Sequence, residues 1–296
     1  ALSLPQPDVR IWYANPLNFN NPLTPNYNTG WQVLEPGFSV PGNFSPSPVP
    51  SPCFGPELSF VTTIAAANTN QRIALIKVTQ GGTDLNTEWK PGGYMYICLT
   101  NTARAALQGL ASEGASYTLR GMIWHQGEND TSGSAATNYE TNLTQFINAV
   151  RRDLGVTNLP FVVGELATNK TIIVRQAQFN VAQNLPYVGF ASADALQTID
   201  NTHFDSAGVV TLGQRFANAL EVPPTKFISA TQNGGDIVLT ASGLARASCL
   251  LLTTTNLSVG NWVPVSTNFF DGDGKLTLTF PIMPVPTQQF FALHPE

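Results

Sequence analysis

The chain has 296 residues, enough for one sizeable core with a small second unit or for two modest domains. Its 43% of hydrophobic residues argue against disorder, and its net charge of −5 argues against a nucleic-acid partner, which needs a basic surface. No apolar run approaches the roughly 18 residues that span a membrane.

The low charge content favours secretion. Only 11% of the residues are charged, and Asn, Thr, Ser and Gln supply the surface polarity instead. The sequence begins at Ala1 without an initiator Met or a signal peptide, as a mature secreted chain or a trimmed one does. We therefore expect an extracellular protein.

The first element is a strand predicted at residues 8–13, and a long Asn- and Pro-rich stretch follows it at residues 15–52. The prolines at 46, 48, 50 and 52 are incompatible with a helix or a central strand there. We expect an ordered surface loop, anchored by Trp31, Phe38 and Phe44.

Strands and helices then alternate along the chain. Apolar β-rich runs predict strands at residues 72–78, 119–124, 159–164 and 187–192, and helical spacing predicts helices at residues 55–68, 94–112, 138–154, 171–184 and 206–221. This alternation predicts an α/β fold with a parallel sheet covered by helices on both faces. Sites in such sheets lie beyond the carboxyl ends of the strands.

The helical pattern ends at Pro223–Pro224. Short strands are predicted at residues 237–240, 249–254, 262–266, 276–280 and 289–293. We expect an α/β domain at residues 1–222 and an all-β module at residues 223–296, with Trp262 in the core of the module. The turn at 271–274 (Asp-Gly-Asp-Gly) lacks the downstream Glu of an EF-hand, so we interpret it as a hairpin turn and not as a calcium loop.

The three cysteines, Cys53, Cys98 and Cys249, have no Cys-x-x-Cys spacing, so we expect no metal site. The sequence is compatible both with a Cys53–Cys98 disulfide and with buried free thiols.

Two of the three histidines follow predicted strands, whereas His294 lies near the end of the β module and has no expected role. His203 lies three residues after Asp200, a spacing at which the carboxylate can hold the imidazole and favour its charged form. A loop histidine beside a turn-capping Asp would have the same spacing.

Two further polar loops follow predicted strands. Residues 124–130 (Trp-His-Gln-Gly-Glu-Asn-Asp) contain an amide, a glycine and carboxylates, and residues 80–83 (Gln-Gly-Gly-Thr) allow close approach of backbone N–H groups to a ligand. Each alone is compatible with a structural turn. Because carboxyl ends of parallel strands meet at one edge, we expect both loops to lie near His203.

The order of these motifs resembles the SGNH hydrolases, in particular the sialate O-acetylesterase and acetylxylan esterase-like branch (carbohydrate esterase family 6-like). The resemblance rests on Gly-Gly-Thr at 81–83, Trp-His-Gln-Gly-Glu at 124–128 and Asp-x-x-His at 200–203, and the Gly-Pro-Glu at 55–57 is similar to that branch's helix opening. It covers about residues 8–221. It implies a three-layer, flavodoxin-like α/β fold.

The resemblance also implies an activity, which is hydrolysis of O-acetyl esters on sugars or polysaccharides through an acyl-serine intermediate, with an acetylated carbohydrate as substrate and no metal or organic cofactor. His203 would be the general base, steered by Asp200, by Glu128 or by both. The remaining implied site residues belong to the oxyanion hole or the substrate-binding loops: Gly81, Gly82, Thr83, His125, Gln126 and Asn129.

The sequence departs from the family pattern at the nucleophile. The family's serine lies in a Gly-Gln-Ser-Asn block after the first strand, and no Gly-Gln-Ser occurs here. We expect the block and its strand to be missing before Ala1, as an absent N-terminal segment or a companion chain. Ser3 is a poor substitute because no Gly precedes it and no strand leads into it. The alternative is a catalytically inactive carbohydrate-binding or structural relative that lacks the serine.

Overall fold

The computed structural model of the chain describes residues 2–15, 27–39, 53–69, 71–167, 172–221, 225–243, 247–258, 260–271, 274–281 and 288–295. Across these ranges, no helix is both long enough and apolar enough to cross a membrane.

The first sheet has three strands, β1 (Gln6–Asn15), β2 (Tyr27–Leu34) and β3 (Ile73–Val78). Strand β1 lies in the middle, antiparallel to β2 and parallel to β3. The prediction of a loop through residues 15–52 is therefore wrong at β2, although the prolines at 46–52 and Phe44 lie outside the described residues. Strand β2 escaped prediction because its sequence (Tyr-Asn-Thr-Gly-Trp-Gln-Val-Leu) has Asn and Gly in its first half, which are typical of turns, and lacks a clear apolar alternation.

The predicted anchors of that stretch pack as expected where they are described. The Trp31 ring meets Trp12 of β1 edge to face at 5.7 Å, and its indole N–H donates to the Ala106 carbonyl at 3.0 Å. Phe38 is buried.

Five helices and three further strands complete the α/β region. They are α1 (Glu57–Ala67), α2 (Tyr94–Ser112), β4 (Met122–Trp124), α3 (Gly133–Asp153), β5 (Phe161–Gly164), α4 (Ile172–Asn184), β6 (Val188–Ala191) and α5 (Ser206–Glu221). The prediction differs most for α3, which begins five residues before 138, because its first turn consists of small residues (Gly-Ser-Ala-Ala) and shows no clear apolar periodicity.

Strands β4, β5 and β6 form a second, fully parallel sheet. Side chains of β5 alternate between its two faces. Phe161 and Val163 join a core with residues of α2, α3 and α4, whereas Val162 joins another core with residues of α1, α5 and β1. Helices therefore contribute side chains to both faces of this strand.

The single parallel sheet expected from the sequence is divided between β3 and β4. In the described part of the chain, β3 pairs with β1 alone and β4 pairs with β5 alone. Most residues of β3 are half-buried and one is exposed, whereas every residue of β5 is buried. Each of these two sheets thus has an open edge, one at β3 and the other at β4.

Helices α1 and α5 pack closely together. A side chain at Gly213 of α5 would collide with the Ser59 hydroxyl and the Pro56 carbonyl at the start of α1, so only glycine allows this approach. Because α1 contributes Leu58 and Val61 to the core that contains Phe216 of α5, the two helices are held against the same side of the fold.

The remaining strands are β7 (Lys226–Asn233), β8 (Asp236–Ser242), β9 (Ser248–Thr254), β10 (Val263–Phe269), β11 (Lys275–Pro281) and β12 (Phe290–Pro295). They form two three-stranded antiparallel sheets, β11-β8-β7 and β10-β9-β12, around a small core. Strand β7 was missed because its outer half is polar and exposed.

Two predictions for this region need correction. Trp262 is half-buried and is not among the described side chains that form the small core. The turn after Phe270 closes through the Asp271 carboxylate, which accepts from the Lys275 N–H at 2.8 Å. It is not a hairpin, because β10 and β11 belong to different sheets.

The all-β region is joined to the α/β region by Lys226. Its ammonium group donates to the carbonyls of Ala182, Leu185 and Val188, at the end of α4 and the start of β6. Burial, together with the nearby Arg151 charge, lowers the Lys226 pKa to about 8.

All three cysteines are among the described residues, and none forms a disulfide. The Cys53–Cys98 bridge left open by the sequence is therefore absent. Burial raises the pKa of the Cys98 thiol, which keeps it protonated and unreactive.

Candidate active site

The loop that follows β6 builds the tightest polar contact of the site. Asn201 takes a left-handed backbone conformation (φ 65°), which turns the chain back so that His203 faces Asp200. One carboxylate oxygen of Asp200 accepts the Thr202 and His203 backbone N–H groups at 3.1 and 2.8 Å. The other lies 2.7 Å from His203 Nδ1.

The Asp200 carboxylate is strongly stabilised in its charged form. The backbone hydrogen bond from His203, reinforced by the imidazole and by the Thr202 N–H, lowers the Asp200 pKa to about 2. An ionised carboxylate can only accept a hydrogen bond, so His203 Nδ1 carries the hydrogen and Nε2 carries the basic lone pair. This is the protonation pattern that a general base requires.

His125 lies next to this turn. Its ring contacts Phe204, the neighbour of His203, with centroids 5.7 Å apart, and its Nε2 lies 3.2 Å from the Glu165 carbonyl. A side chain at Gly164 would meet the His125 ring at 2.9 Å, so the glycine at the end of β5 makes room for it. The loops after β4, β5 and β6 therefore meet at one edge.

Glu128 and Asp200 occupy different places in the site. Glu128 lies in a 3₁₀ turn (Glu128–Asp130), with its carboxylate 3.9 Å from His125 Nδ1. Asp200 is the carboxylate in contact with the His203 imidazole. Of the two candidates that the sequence left open, the geometry favours Asp200 as the orienting acid.

The Gln126 side chain links the loop after β3 to the loop after β4. Its amide nitrogen donates to the Thr83 carbonyl at 3.0 Å and to the buried Asp130 carboxylate at 2.7 Å, and its amide oxygen accepts from the Tyr139 hydroxyl at 3.2 Å. Both amide hydrogens are used, so Gln126 would have to give one up to serve an oxyanion. Its place in the oxyanion hole stays a prediction.

Asp130 completes this hydrogen-bond network between the two loops. It is fully buried, and its two oxygens accept from the Leu85 backbone N–H at 3.2 and 3.0 Å. Burial raises the pKa of this carboxyl, while the hydrogen bonds from Gln126 and Leu85 oppose the shift. These bonds bring the loops after β3 and β4 to the same edge, although the strands do not pair.

The glycine loop after β3 lies open at that edge. Gly82 has φ +71°, and a Cβ at either Gly81 or Gly82 would meet no atom within 4 Å. Asn129 donates to the Gly82 carbonyl at 3.2 Å, and Thr83 accepts from the Trp89 indole at 2.8 Å. Thr83 and Asn129 thus hold the loop, while the two glycines leave room for a ligand.

Sequence reasoning missed Glu165, Arg175 and Tyr139. Glu165 directly follows β5, accepts from the Ala193 N–H at 2.8 Å and pairs with Arg175 at 2.5 Å. The signal was present, because Gly164–Glu165 follows a predicted strand as the other site loops do. His294, by contrast, lies on β12, a strand of the β10-β9-β12 sheet.

An α/β fold with a His–Asp pair at the carboxyl ends of parallel strands is typical of hydrolases that activate an oxygen nucleophile. The chain belongs to the family of carbohydrate esterases described as sialic acid-specific acetylesterases, whose sequence model matches residues 26–221, more than half of its length.

Solved structures with the same fold have low sequence identity. A protein from Arabidopsis thaliana has 22% identity and a TM-score of 0.57, over 74% of this chain and 82% of that one. NanS has 15% identity and a TM-score of 0.55, over 74% and 88%.

XAC1771, a carbohydrate acetylesterase from Xanthomonas citri, has 18% identity and a TM-score of 0.51, and the match covers 91% of this chain but only 65% of that one. No curated protein matches the chain.

Proposed function

We propose that the protein is a secreted esterase that removes O-acetyl groups from sugars or polysaccharides, with His203 as general base and Asp200 as its orienting acid. The 2.7 Å contact between His203 Nδ1 and the Asp200 carboxylate carries this proposal. Membership of the carbohydrate esterase family supports the ester substrate. We assign the activity to a three-layer domain at residues 1–222 and treat residues 223–296 as an all-β module.

The reaction would proceed by acyl transfer. His203 Nε2 takes the proton of a serine hydroxyl as the serine oxygen attacks the acetyl carbonyl carbon. Backbone N–H groups of the Gly81–Gly82 loop face the developing oxyanion. The tetrahedral intermediate collapses, and the imidazolium returns the proton to the sugar oxygen as it leaves. Water, activated by the same imidazole, then releases acetate.

Ser3 is not a suitable nucleophile. It is exposed and lies before the amino end of β1. Because β1 runs parallel to β3, that end is opposite the edge where the Gly81–Gly82 loop and His203 lie.

We propose that a strand outside these 296 residues, from an N-terminal segment or a companion chain, fills the gap between β3 and β4 and brings the serine. Within the described ranges, β3 and β4 each have one edge without a partner strand. Among the described residues, the buried amide oxygen of Gln80, in the loop after β3, has no hydrogen-bond partner, which is costly in a finished core. A central strand would also cover the half-exposed residues of β3.

The test is acetate release from p-nitrophenyl acetate and acetylated xylan by the protein expressed from its complete coding sequence. We expect His203→Ala to lower kcat by about a thousandfold or more. His294→Ala is the matched control, because His294 is exposed on β12, and its activity should equal that of the wild type.

The second candidate is an inactive carbohydrate-binding or structural protein, favoured by the lack of a Gly-Gln-Ser sequence. It predicts a folded protein that releases no acetate from either substrate. Acetate release that persists in His203→Ala would contradict the proposed esterase mechanism.

A further inference from the structure

A groove of about 340 Å³ lies between helices α3 and α4, outside the residues assigned above. Its walls are Ala136, Thr137 and Glu140 from α3, and Ile172, Ile173, Gln176, Ala177 and Asn180 from α4. It is an open trough along two helices.

The groove begins beside the candidate active site. A side chain at Gly127 would approach Val174 of α4 to 2.9 Å and the Tyr139 hydroxyl of α3 to 3.1 Å, so the loop that carries His125 and Glu128 rests where the two helices meet. Ala136, Ile172 and Ile173 of the groove lie in the first turns of α3 and α4, the helix ends that follow the loops after β4 and β5. The groove therefore starts at the edge of the fold where those loops meet.

Three polar side chains of the groove form a fixed relay. Gln176 donates to the Asn180 amide oxygen at 2.9 Å, and Asn180 donates to the Glu140 carboxylate at 2.8 Å. Each group is held by its neighbour, and the relay keeps further donor and acceptor sites for a ligand. Such ordered amide and carboxylate groups suit the hydroxyl groups of a sugar.

Two isoleucines lie beside this relay. Ile172 is 67% exposed and Ile173 is 48% exposed, although both belong to the first turn of α4. Exposed apolar side chains next to convergent polar groups are typical of binding sites. A sugar ring offers both matching surfaces, because its C–H groups can cover the isoleucines while its hydroxyls reach the relay.

The charge of the groove determines which class of sugar it favours. The charged side chain in the groove is Glu140, and no described wall residue carries a positive charge. Arg175, on the next position of α4, is paired with Glu165 at 2.5 Å. Among the described wall residues, an anionic sugar such as a sialate or uronate would therefore meet a carboxylate and no cation.

We propose that the α3–α4 groove is a subsite for uncharged sugar residues of a polymeric substrate, next to the residue whose acetyl group reaches His203. The place of the acetylated residue rests on the proposed function, whereas binding of a neutral glycan to the groove does not.

The test is affinity gel electrophoresis of the protein in gels that contain unacetylated xylan, glucomannan or polysialic acid, none of which can be hydrolysed by an acetylesterase. We expect retardation by xylan, glucomannan or both, and none by polysialic acid. Asn180→Ala and Ile173→Ser should each weaken the retardation at least fivefold. Gln232→Ala, which removes an exposed amide of β7, should leave it unchanged.

Two results would overturn the inference: no retardation by either neutral glycan, or equal retardation of the wild type, Asn180→Ala and Ile173→Ser. Circular dichroism of each variant separates lost binding from lost folding. A protein that binds neutral glycans through the groove but releases no acetate would refute the esterase proposal alone.

Discussion

At the residue scale, two carboxylates near the imidazoles have different partners, and substitution can separate them. Asp200→Asn should lower the kcat of acetate release by about 10² to 10⁴, because an amide no longer fixes the His203 tautomer. Glu128→Gln should cost less, because Glu128 lies beside His125 and not against His203. A larger loss in Glu128→Gln than in Asp200→Asn would reverse the assignment.

Asp200 also gives the site a defined dependence on pH. Its pKa is lowered from 3.8 to about 2 in the folded protein, so the charged carboxylate contributes stability that is present above about pH 4 and is lost as pH falls through 2. The wild type should therefore lose its stability advantage over Asp200→Asn across that window. Urea unfolding of both proteins at pH 5, 3 and 2 measures the difference, and a gap that does not change with pH would contradict the lowered pKa.

At the element scale, the close approach of α1 and α5 determines how the helices cover the sheets. Gly213→Ala should destabilise the protein by about 1–3 kcal/mol, because the added methyl group collides with Ser59 and with the Pro56 carbonyl and pushes the helices apart. Gly235→Ala is the matched control, since its Cβ would meet nothing within 4 Å. Denaturant unfolding measures both, and equal stability of the two variants would show that the contact is not tight.

Most elements of the α/β region could be predicted because their signals are local. Helix α5 shows apolar periodicity after a Ser at its start, and β5 is an uninterrupted apolar run. Strand β2 could not be predicted, because its residues become a strand only against β1, and the start of α3 lacks any apolar stripe.

At the scale of the whole molecule, the open edges between the two sheets should be visible in amide hydrogen exchange. In the 296-residue chain, backbone amides of β3 and β4 that face the gap should exchange faster than those of β5, which has a partner on each side. Protein from the complete coding sequence should protect all three strands alike. Equal protection of β3, β4 and β5 in the 296-residue chain would contradict the proposed additional strand.

The sequence by itself determined the local chemistry. The Asp200–His203 spacing, the 124–130 block and the glycines at 81–82 each follow a predicted strand, and loops at the carboxyl ends of parallel strands are expected at one edge. Local composition likewise encodes the alternation of helices and strands and the change to an all-β pattern after Pro224.

Only the tertiary structure decided which contacts those groups make. It places Asp200, and not Glu128, against His203, and it engages both amide hydrogens of Gln126 in the bond network of Asp130 and Thr83. In the described part of the chain it also leaves β3 and β4 with a partner strand on one side alone. The physical reason is that side-chain contacts and strand pairing depend on distances between segments remote in sequence, which no local pattern encodes.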